Sequence, residues 1–196
     1  NHDKSYWGSG KLTGGPGHNL MFVDVCEWLF RLTGDNAYVE FAQFLYDTYS
    51  VAPQVRETDI QLQNLADPTR SFKGHGAHVM EHLRVPLFIY YATEDTKYRT
   101  AVENCFVKTF PHLNVGGALI SDESIGKRIG SPYIGCEYCA MLELLNSLQS
   151  GVQKTGQASL ADRIELLVYN AAQGARQRDG KAIQYCTMDN QLKATH

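Results

Sequence analysis

The chain lacks any apolar run approaching the roughly 20 residues needed to span a bilayer, and it lacks a surplus of positive charge. Its 18 Lys+Arg against 21 Asp+Glu leave a net charge of −3, so no general attraction to nucleic acid or anionic lipid is expected. The first residues, Asn-His-Asp-Lys-Ser-Tyr-Trp, contain neither an initiator Met nor an apolar signal core. They read as the start of a mature chain or of a cut piece, and localisation stays open between a secreted or periplasmic protein with its signal removed and a cytoplasmic one. The five cysteines, at 26, 105, 136, 139 and 186, lack the spacing of a small disulfide domain. Their odd count leaves at least one thiol free even in an oxidising compartment. Cys26 and Cys105 sit in apolar helical patterns and read as small core residues. What is present is an ordinary globular composition over 196 residues, 43% hydrophobic and 20% charged. That is enough for one good core and for one or two domains.

The organisation is all-α, and its clearest sign is an internal repeat. Arg-Leu-Thr-Gly-Asp-Asn-Ala-Tyr (31 to 38), Tyr-Ala-Thr-Glu-Asp-Thr-Lys-Tyr (91 to 98) and Gln-Lys-Thr-Gly-Gln-Ala-Ser-Leu (153 to 160) align with Thr33, Thr93 and Thr155 spaced by 60 and 62 residues. Apolar-periodic runs precede each turn (Asn19 to Leu32, Val79 to Ala92, Cys139 to Thr155). Others follow it (Ala37 to Tyr49, Lys97 to Phe110, Leu160 to Ala172). In the returning helices Tyr38, Ala42 and Leu45 correspond to Tyr98, Val102 and Cys105, then to Leu160, Ile164 and Leu167, the i, i+4, i+7 stripe of a buried face. Asp35 and Asp95 stand where a short polar residue caps a helix.

Helical hairpins repeating at this period build superhelical arrays or closed double barrels. The linkers favour the barrel. Ser50 to Gly76 and Pro111 to Gly135 are long and without helical period, and such loops in a compact domain usually carry function. Three hairpins make half of a six-hairpin (α/α)6 barrel, so residues 1–196 read as one α-helical segment of a longer protein. Apolar faces left unburied in such a half would be covered by a second copy or by missing domains.

The chemistry concentrates in Tyr133-Ile-Gly-Cys-Glu-Tyr-Cys-Ala-Met-Leu-Glu143. If residues 136 to 143 are helical, Cys136 and Cys139 share a face, as do Cys139 and Glu143, while Glu137 points away from Cys139. If the backbone is still extended there, Glu137 and Cys139 lie on the same side. Gly135 allows the second arrangement. His75, His78 and His82 follow His-x2-His-x3-His, and on a helix His78 and His82 share a face able to hold a metal. The bland reading is that these imidazoles line a polar cleft or cap a helix. The loop Glu57 to Asn64 offers carboxylates and amides able to hydrogen-bond a hydroxyl-rich ligand, with Trp7, Tyr133 and Tyr185 as stacking faces, though aromatic residues are more often core.

Gly17-His18-Asn19-Leu20-Met21-Phe22, His75-Gly-Ala-His-Val-Met-Glu-His-Leu-Arg84, the repeat turns and Glu137-Tyr138-Cys139 together resemble the catalytic domain of the β-L-arabinofuranosidase family, glycoside hydrolase family 127 and its relatives. The resemblance covers most of residues 15 to 191. It implies an (α/α)6 barrel followed by β-sandwich domains. It also implies a retaining exo-glycosidase with a zinc-bound cysteine as nucleophile and a glutamate as acid/base. By resemblance Glu137 and Cys139 match the family's Glu-x-Cys zinc pair. Cys186 matches the first of its two adjacent cysteines, both the nucleophile and a zinc ligand. Thr187 departs from the pattern, standing where the second cysteine belongs. Cys136 or a histidine of the cluster is left to complete the metal set, and the Thr-Met-Asp-Asn-Gln ending is also compatible with a subgroup without zinc.

The family's acid/base precedes its Glu-x-Cys motif, which selects Glu123 in Gly116-Gly-Ala-Leu-Ile-Ser-Asp-Glu-Ser-Ile125, with Asp122 in reserve. His75, with His78, matches a histidine that contacts the sugar, and His18, Asp122 and Tyr185 complete the candidate substrate contacts. The expected function is release of a terminal β-L-arabinofuranoside-like sugar from plant or microbial glycans. Two other classes remain open. One is a metal-free (α/α)6 sugar epimerase or polysaccharide lyase with His75 or His78 as base; the other is a noncatalytic glycan-binding scaffold.

Overall fold

The computed structural model describes Trp7, residues 18–53, Val55 and residues 57–189. Gly17 in the first motif and Asn190 and Gln191 after Cys186 lie outside the described residues. Helices dominate, and they are the three hairpins of the repeat. The first pairs α1 (Phe22–Thr33), entered through a 3-10 turn Asn19–Met21, with α2 (Ala37–Val51). A short α3 (Leu62–Ala66) follows in the first linker. The second hairpin runs through α4 (Gly76–His82) and α5 (Arg84–Thr93) into α6 (Arg99–Thr109), and the third pairs α7 (Tyr138–Thr155) with α8 (Ala158–Leu166). Beyond α8 the chain relaxes into a π-helical turn, Leu167–Ala172. Where one outgoing helix was expected over Val79 to Ala92, the chain makes two that meet at Leu83. Pro86 explains the break: it cannot donate to a preceding carbonyl, and the first turn of a new helix is where that missing donor costs least.

The three turns repeat bond for bond. Thr33 Oγ1 donates to Leu29 O at 2.8 Å and accepts from Asp35 N at 3.1 Å. Thr93 Oγ1 donates to Ile89 O at 2.7 Å and accepts from Asp95 N at 3.2 Å. Thr155 Oγ1 donates to Gly151 O at 2.7 Å and accepts from Gln157 N at 3.1 Å. The residue after each threonine is left-handed, with φ of 71° at Gly34, 56° at Glu94 and 67° at Gly156, which ends the outgoing helix. Asp35 and Asp95 then cap the next segment, accepting from Ala37 N at 2.9 Å and Lys97 N at 3.0 Å. Gln157 at the third turn makes no such side-chain cap.

Two compact units result, one from Asn1–Arg70 with His82–Cys105 and one from Ser71–Glu81 with Phe106–His196. In the first, Tyr46, Tyr49 and Tyr98 are fully buried among Leu45, Ile60, Leu83 and Ile89. Each phenol is satisfied, Tyr46 by Ile60 O at 3.0 Å, Tyr49 by Glu57 O at 3.0 Å and Tyr98 by Asp47 Oδ1 at 2.8 Å. Full burial of such side chains contributes about 1.5–3 kcal/mol each. The face of α1 bearing Phe22, Val25, Trp28 and Leu32 is exposed.

In the second unit Met80, Leu144, Leu148, Leu160 and Leu167 are buried. Gly151 lies where an added Cβ would meet Phe106 Cε2 at 2.7 Å and Leu160 Cδ1 at 2.8 Å. The long second linker is ordered around a two-stranded antiparallel ribbon, β1 (Cys136–Glu137) and β2 (Cys186–Thr187). No helix among the described residues is long and apolar enough to cross a membrane.

Candidate active site

The site is assembled by backbone pairing within the second unit. Residues before α4 run beside the loop of 123 to 127, with Gly76 N donating to Glu123 O at 2.8 Å, Ile125 N to Gly74 O at 2.9 Å and Lys127 N to Phe72 O at 2.8 Å. That ladder brings His75 against Glu123 across 48 residues of sequence. The same loop pairs with β1, where Ser121 N donates to Gly135 O at 2.8 Å and Glu137 N to Ser121 O at 2.9 Å. β2 closes the ribbon on the other side, with Cys186 opposite Glu137 and Thr187 opposite Cys136, and Tyr138 N donating to Tyr185 O at 2.8 Å.

Because cross-strand partners share a face and neighbours alternate, Glu137 and Cys186 occupy one side of the ribbon and Cys136 and Thr187 the other. Gly135 through Glu137 is extended and the helix begins at Tyr138, so Glu137 and Cys139 fall together. Cys139 Sγ donates to Glu137 Oε1 at 2.5 Å. Cys136 is buried on the opposite face, where Asn114 Nδ2 lies 3.6 Å from its sulfur and also donates to Asp189 Oδ1 at 2.8 Å. It is thereby turned away from Glu137 as a partner in metal binding.

Around Glu137 the polar groups form one connected set. Tyr185 Oη lies 2.6 Å from Glu123 Oε1 and 2.9 Å from Glu137 Oε1. His75 Nε2 is 3.0 Å from Glu123 Oε2 and 3.7 Å from Glu137 Oε2. Glu123 has a φ of 92°, a conformation that costs a non-glycine residue about 1–3 kcal/mol and persists only where its surroundings hold it. Here the hydrogen bond from Gly76 N and the two side-chain partners hold it. One phenol proton cannot be donated to two carboxylates at once, so both Tyr185 contacts are hydrogen bonds only when one carboxyl also carries a proton.

The electrostatics are those of crowded anions. Hydrogen bonds to Glu123 and Glu137 raise Tyr185 well above the usual phenol range. Burial, then the hydrogen bond to Glu137, pushes Cys139 up to about 12. Cys186 is also raised, first by burial and then by the charges of Glu137, Glu123 and Asp122. A thiol so placed is held protonated and is a poor nucleophile, a burden that a bound cation would reverse.

The donor set suits a divalent cation. The ligand atoms of His75, Glu123 and Glu137 lie within 4.8 Å of one another. Glu137 is 1% exposed, and its Oε2 makes no hydrogen bond among the described residues. Buried carboxylate oxygens are rarely left so.

The other candidates divide. Asp122 is held by Arg128 through contacts of 3.2 and 2.5 Å, and Arg128 keeps its carboxyl below the ordinary range. His78 is buried, its ring 4.3 Å from that of His75. His82 is grouped with the first unit, fully buried, with its ring 6.1 Å from that of Tyr49. His18, exposed, also lies in the first unit ahead of α1. Trp7 is core: it is 2% exposed, donates to Leu45 O at 3.1 Å and meets Tyr49 edge to face. The amides of the 57–64 loop are spent internally, Gln61 Nε2 on Ala52 O at 3.0 Å and Asn64 Nδ2 on Thr58 O at 2.7 Å. Tyr133 and Tyr185 stay exposed as ring faces. Sequence reasoning missed the bridging role of Tyr185 and the locking of Asp122 by Arg128, both of which depend on contacts between separate segments.

The family model described as β-L-arabinofuranosidase, GH127 catalytic domain, matches residues 8–196. The chain belongs to that family. Among solved structures, a GH127 β-arabinofuranosidase aligns with a TM-score of 0.69 at 18% identity, over 85% of this chain and 27% of its own. A protein titled glycoside hydrolase gives 0.77 at 16%, over 93% and 34%. The GH127 β-L-arabinofuranosidase from Geobacillus stearothermophilus T6 gives 0.68 at 16%, over 85% and 30%. This GH127 chain thus has the helical-hairpin fold of part of an (α/α) barrel, and it spans between 27% and 34% of the length of these structures. No curated protein sequence matches it.

Proposed function

We propose that this GH127 chain is an α-helical segment of a longer glycoside hydrolase that releases a terminal L-arabinofuranose-like sugar with retention of configuration. The observation that carries the reading is the strained, bridged placement of Glu123 beside Glu137. The Glu123 side chain is about half exposed, at 56%, yet anchored by Tyr185 and by the backbone bond from Gly76 N, as a group must be that reaches a substrate oxygen from a fixed position. With the proton on Glu123, its carboxyl donates to Tyr185 Oη and the phenol donates to Glu137, which satisfies both contacts.

Glu123 then acts as the acid. It gives its proton to the leaving glycosidic oxygen as that oxygen parts from the anomeric carbon, while Cys186 sulfur forms the new bond to that carbon. In the second half Glu123, now a carboxylate, takes a proton from water. The water oxygen bonds to the anomeric carbon, and the sulfur leaves. Exposed Tyr133 and the face of Tyr185 offer stacking surfaces for the sugar, and His75 and His78 line its approach.

Zinc is the cation the reading favours, held by Glu137 and Cys139 with Cys186. When bound, it supplies positive charge that keeps thiols as thiolates near neutral pH. The exposed apolar face of α1 fits a segment whose remaining barrel helices would cover it.

The test is hydrolysis of an aryl β-L-arabinofuranoside by the protein that carries this segment, with Glu123→Gln and Cys186→Ser alongside. Loss of about 10²-fold or more in kcat for each variant is expected. Wild-type rates in both would overturn the assignment.

A further inference from the structure

We infer that His75 is a metal ligand of this chain, its Nε2 filling the coordination position for which Thr187 provides no sulfur. The inference rests on the metal-binding part of the reading above and deepens it.

The first observation is spacing. A tetrahedral zinc with nitrogen and oxygen ligands at about 2.0–2.1 Å requires those ligands to stand roughly 3.3 Å apart. His75 Nε2 lies 3.7 Å from Glu137 Oε2, close to that edge. Cys139 approaches the other oxygen of the same carboxylate, at 2.5 Å from Glu137 Oε1. Glu137 therefore presents one oxygen toward a thiol and one toward an imidazole.

The second observation is the state of that imidazole-facing oxygen. Glu137 Oε2 is buried and makes no hydrogen bond among the described residues, although Oε1 of the same group takes two. A carboxylate oxygen is costly to strip of its water unless something replaces that water, and a cation between Oε2 and His75 Nε2 replaces it.

The third is the position of residue 187. It pairs with Cys136 on the face of the ribbon opposite Glu137 and Cys186, and threonine brings only a hydroxyl. The imidazole nitrogen stands 3.7 Å from the open oxygen, and it is well seated. Its ring is 15% exposed and packed against His78 at 4.3 Å, while its backbone carbonyl accepts from Val79 N at 2.9 Å. Ligation uses the Nε2 lone pair, which fixes the proton on Nδ1 and ends the contact in which Nε2 hydrogen-bonds to Glu123 Oε2. Metal loading thus frees one oxygen of the acid/base, leaving Tyr185 as its anchor.

The experiment is metal titration of the full chain, reading zinc affinity by competition with a chromophoric chelator and the ligand field by the visible spectrum of the Co²⁺ form. Variants are His75→Ala, His78→Ala and Cys139→Ser, each first checked for wild-type far-UV dichroism without metal. We expect His75→Ala to weaken zinc by at least about tenfold, by comparison with the 10–100-fold that even outer-shell partners contribute. It should also change the Co²⁺ spectrum, and millimolar imidazole should restore that spectrum. His78→Ala, which alters the same helix and leaves His75, Glu137, Cys139 and Cys186 in place, should do neither. If wild type binds zinc, Cys139→Ser loses it and His75→Ala binds as tightly as wild type, the inference is wrong and the metal reading survives. If wild type binds neither ion, both fail, and the glycosidase assignment of Glu123 still stands to be judged by hydrolysis.

Discussion

Gly76 is the position at which the account of how the site is built can be broken with one methyl group. A Cβ there would lie 2.2 Å from Ser121 Oγ, 2.5 Å from Ser121 Cβ and 3.2 Å from Leu119 Cδ2. Two of these are far inside van der Waals contact, and Ser121 is buried in the strand-like segment that pairs with β1. Overpacking of this kind costs about 1–3 kcal/mol. For a urea dependence of about 2 kcal/mol/M that lowers the unfolding midpoint by roughly 1 M. The displacement also has a direction. Gly76 N holds Glu123 O at 2.8 Å, so moving the start of α4 off Ser121 draws His75 away from Glu123. Gly76→Ala should therefore lose stability and, in the active protein, kcat together. Ser121→Gly removes both clashing atoms, and the double variant should recover about 1 kcal/mol relative to the sum of the singles. Ser121→Ala keeps the Cβ and should not rescue. Alone it should be neutral or slightly stabilising, because Ser121 Oγ is buried without a hydrogen bond among the described residues. A Gly76→Ala chain that unfolds at the wild-type midpoint would refute the packing argument.

Other outcomes follow from the same geometry. Tyr185→Phe removes the hydroxyl between Glu123 and Glu137 and should lower kcat by about 10–100-fold with KM little changed; a change in KM alone would mean that Tyr185 serves only as a sugar platform. In metal-free protein Cys139, pushed up to about 12, carries less thiolate at any given pH than an ordinary thiol. Its alkylation by iodoacetamide at pH 8, followed by peptide mapping, should run roughly 10²–10³ times slower than that of a thiol near 8.5. The rate should climb tenfold per pH unit without a plateau below pH 10, and a plateau near pH 9 would contradict the burial and Glu137 contact that raise it. Gln157→Asp supplies the cap that Asp35 and Asp95 provide at the other turns and should raise stability by about 0.5–1 kcal/mol in chemical denaturation.

The hairpins were legible because a turn of this kind writes its hydrogen bonds into sequence. A threonine bonds back to a carbonyl four residues earlier, a left-handed residue follows, and a short acid caps the next helix. The second outgoing run was split at Leu83, where Pro86 sits in the first turn of a new helix that begins at Arg84. The extended run into Tyr138 was one of two arrangements open from spacing alone, and pairing with Cys186 and Thr187 selected it. That pairing joins residues some 50 apart, and no local pattern encodes it. The same limit applies to the His75–Glu123 contact and to the Tyr185 bridge. It also explains Trp7, whose burial against Tyr49 cannot be told from a stacking role until both segments are in place. His-x2-His-x3-His fixes helical spacing but not the partners of each ring: His75 meets Glu123 and His82 meets Tyr49, contacts that no local pattern encodes.

The most direct test of the central claim is the leaving-group dependence of Glu123→Gln. Hydrolysis of an unactivated alkyl β-L-arabinofuranoside should fall by at least about 10²-fold, while a dinitrophenyl glycoside, whose leaving group needs no proton, should be cleaved in its first step at close to the wild-type rate. Equal losses on both substrates, or no loss on either, would contradict the assignment of Glu123 as the acid of this site.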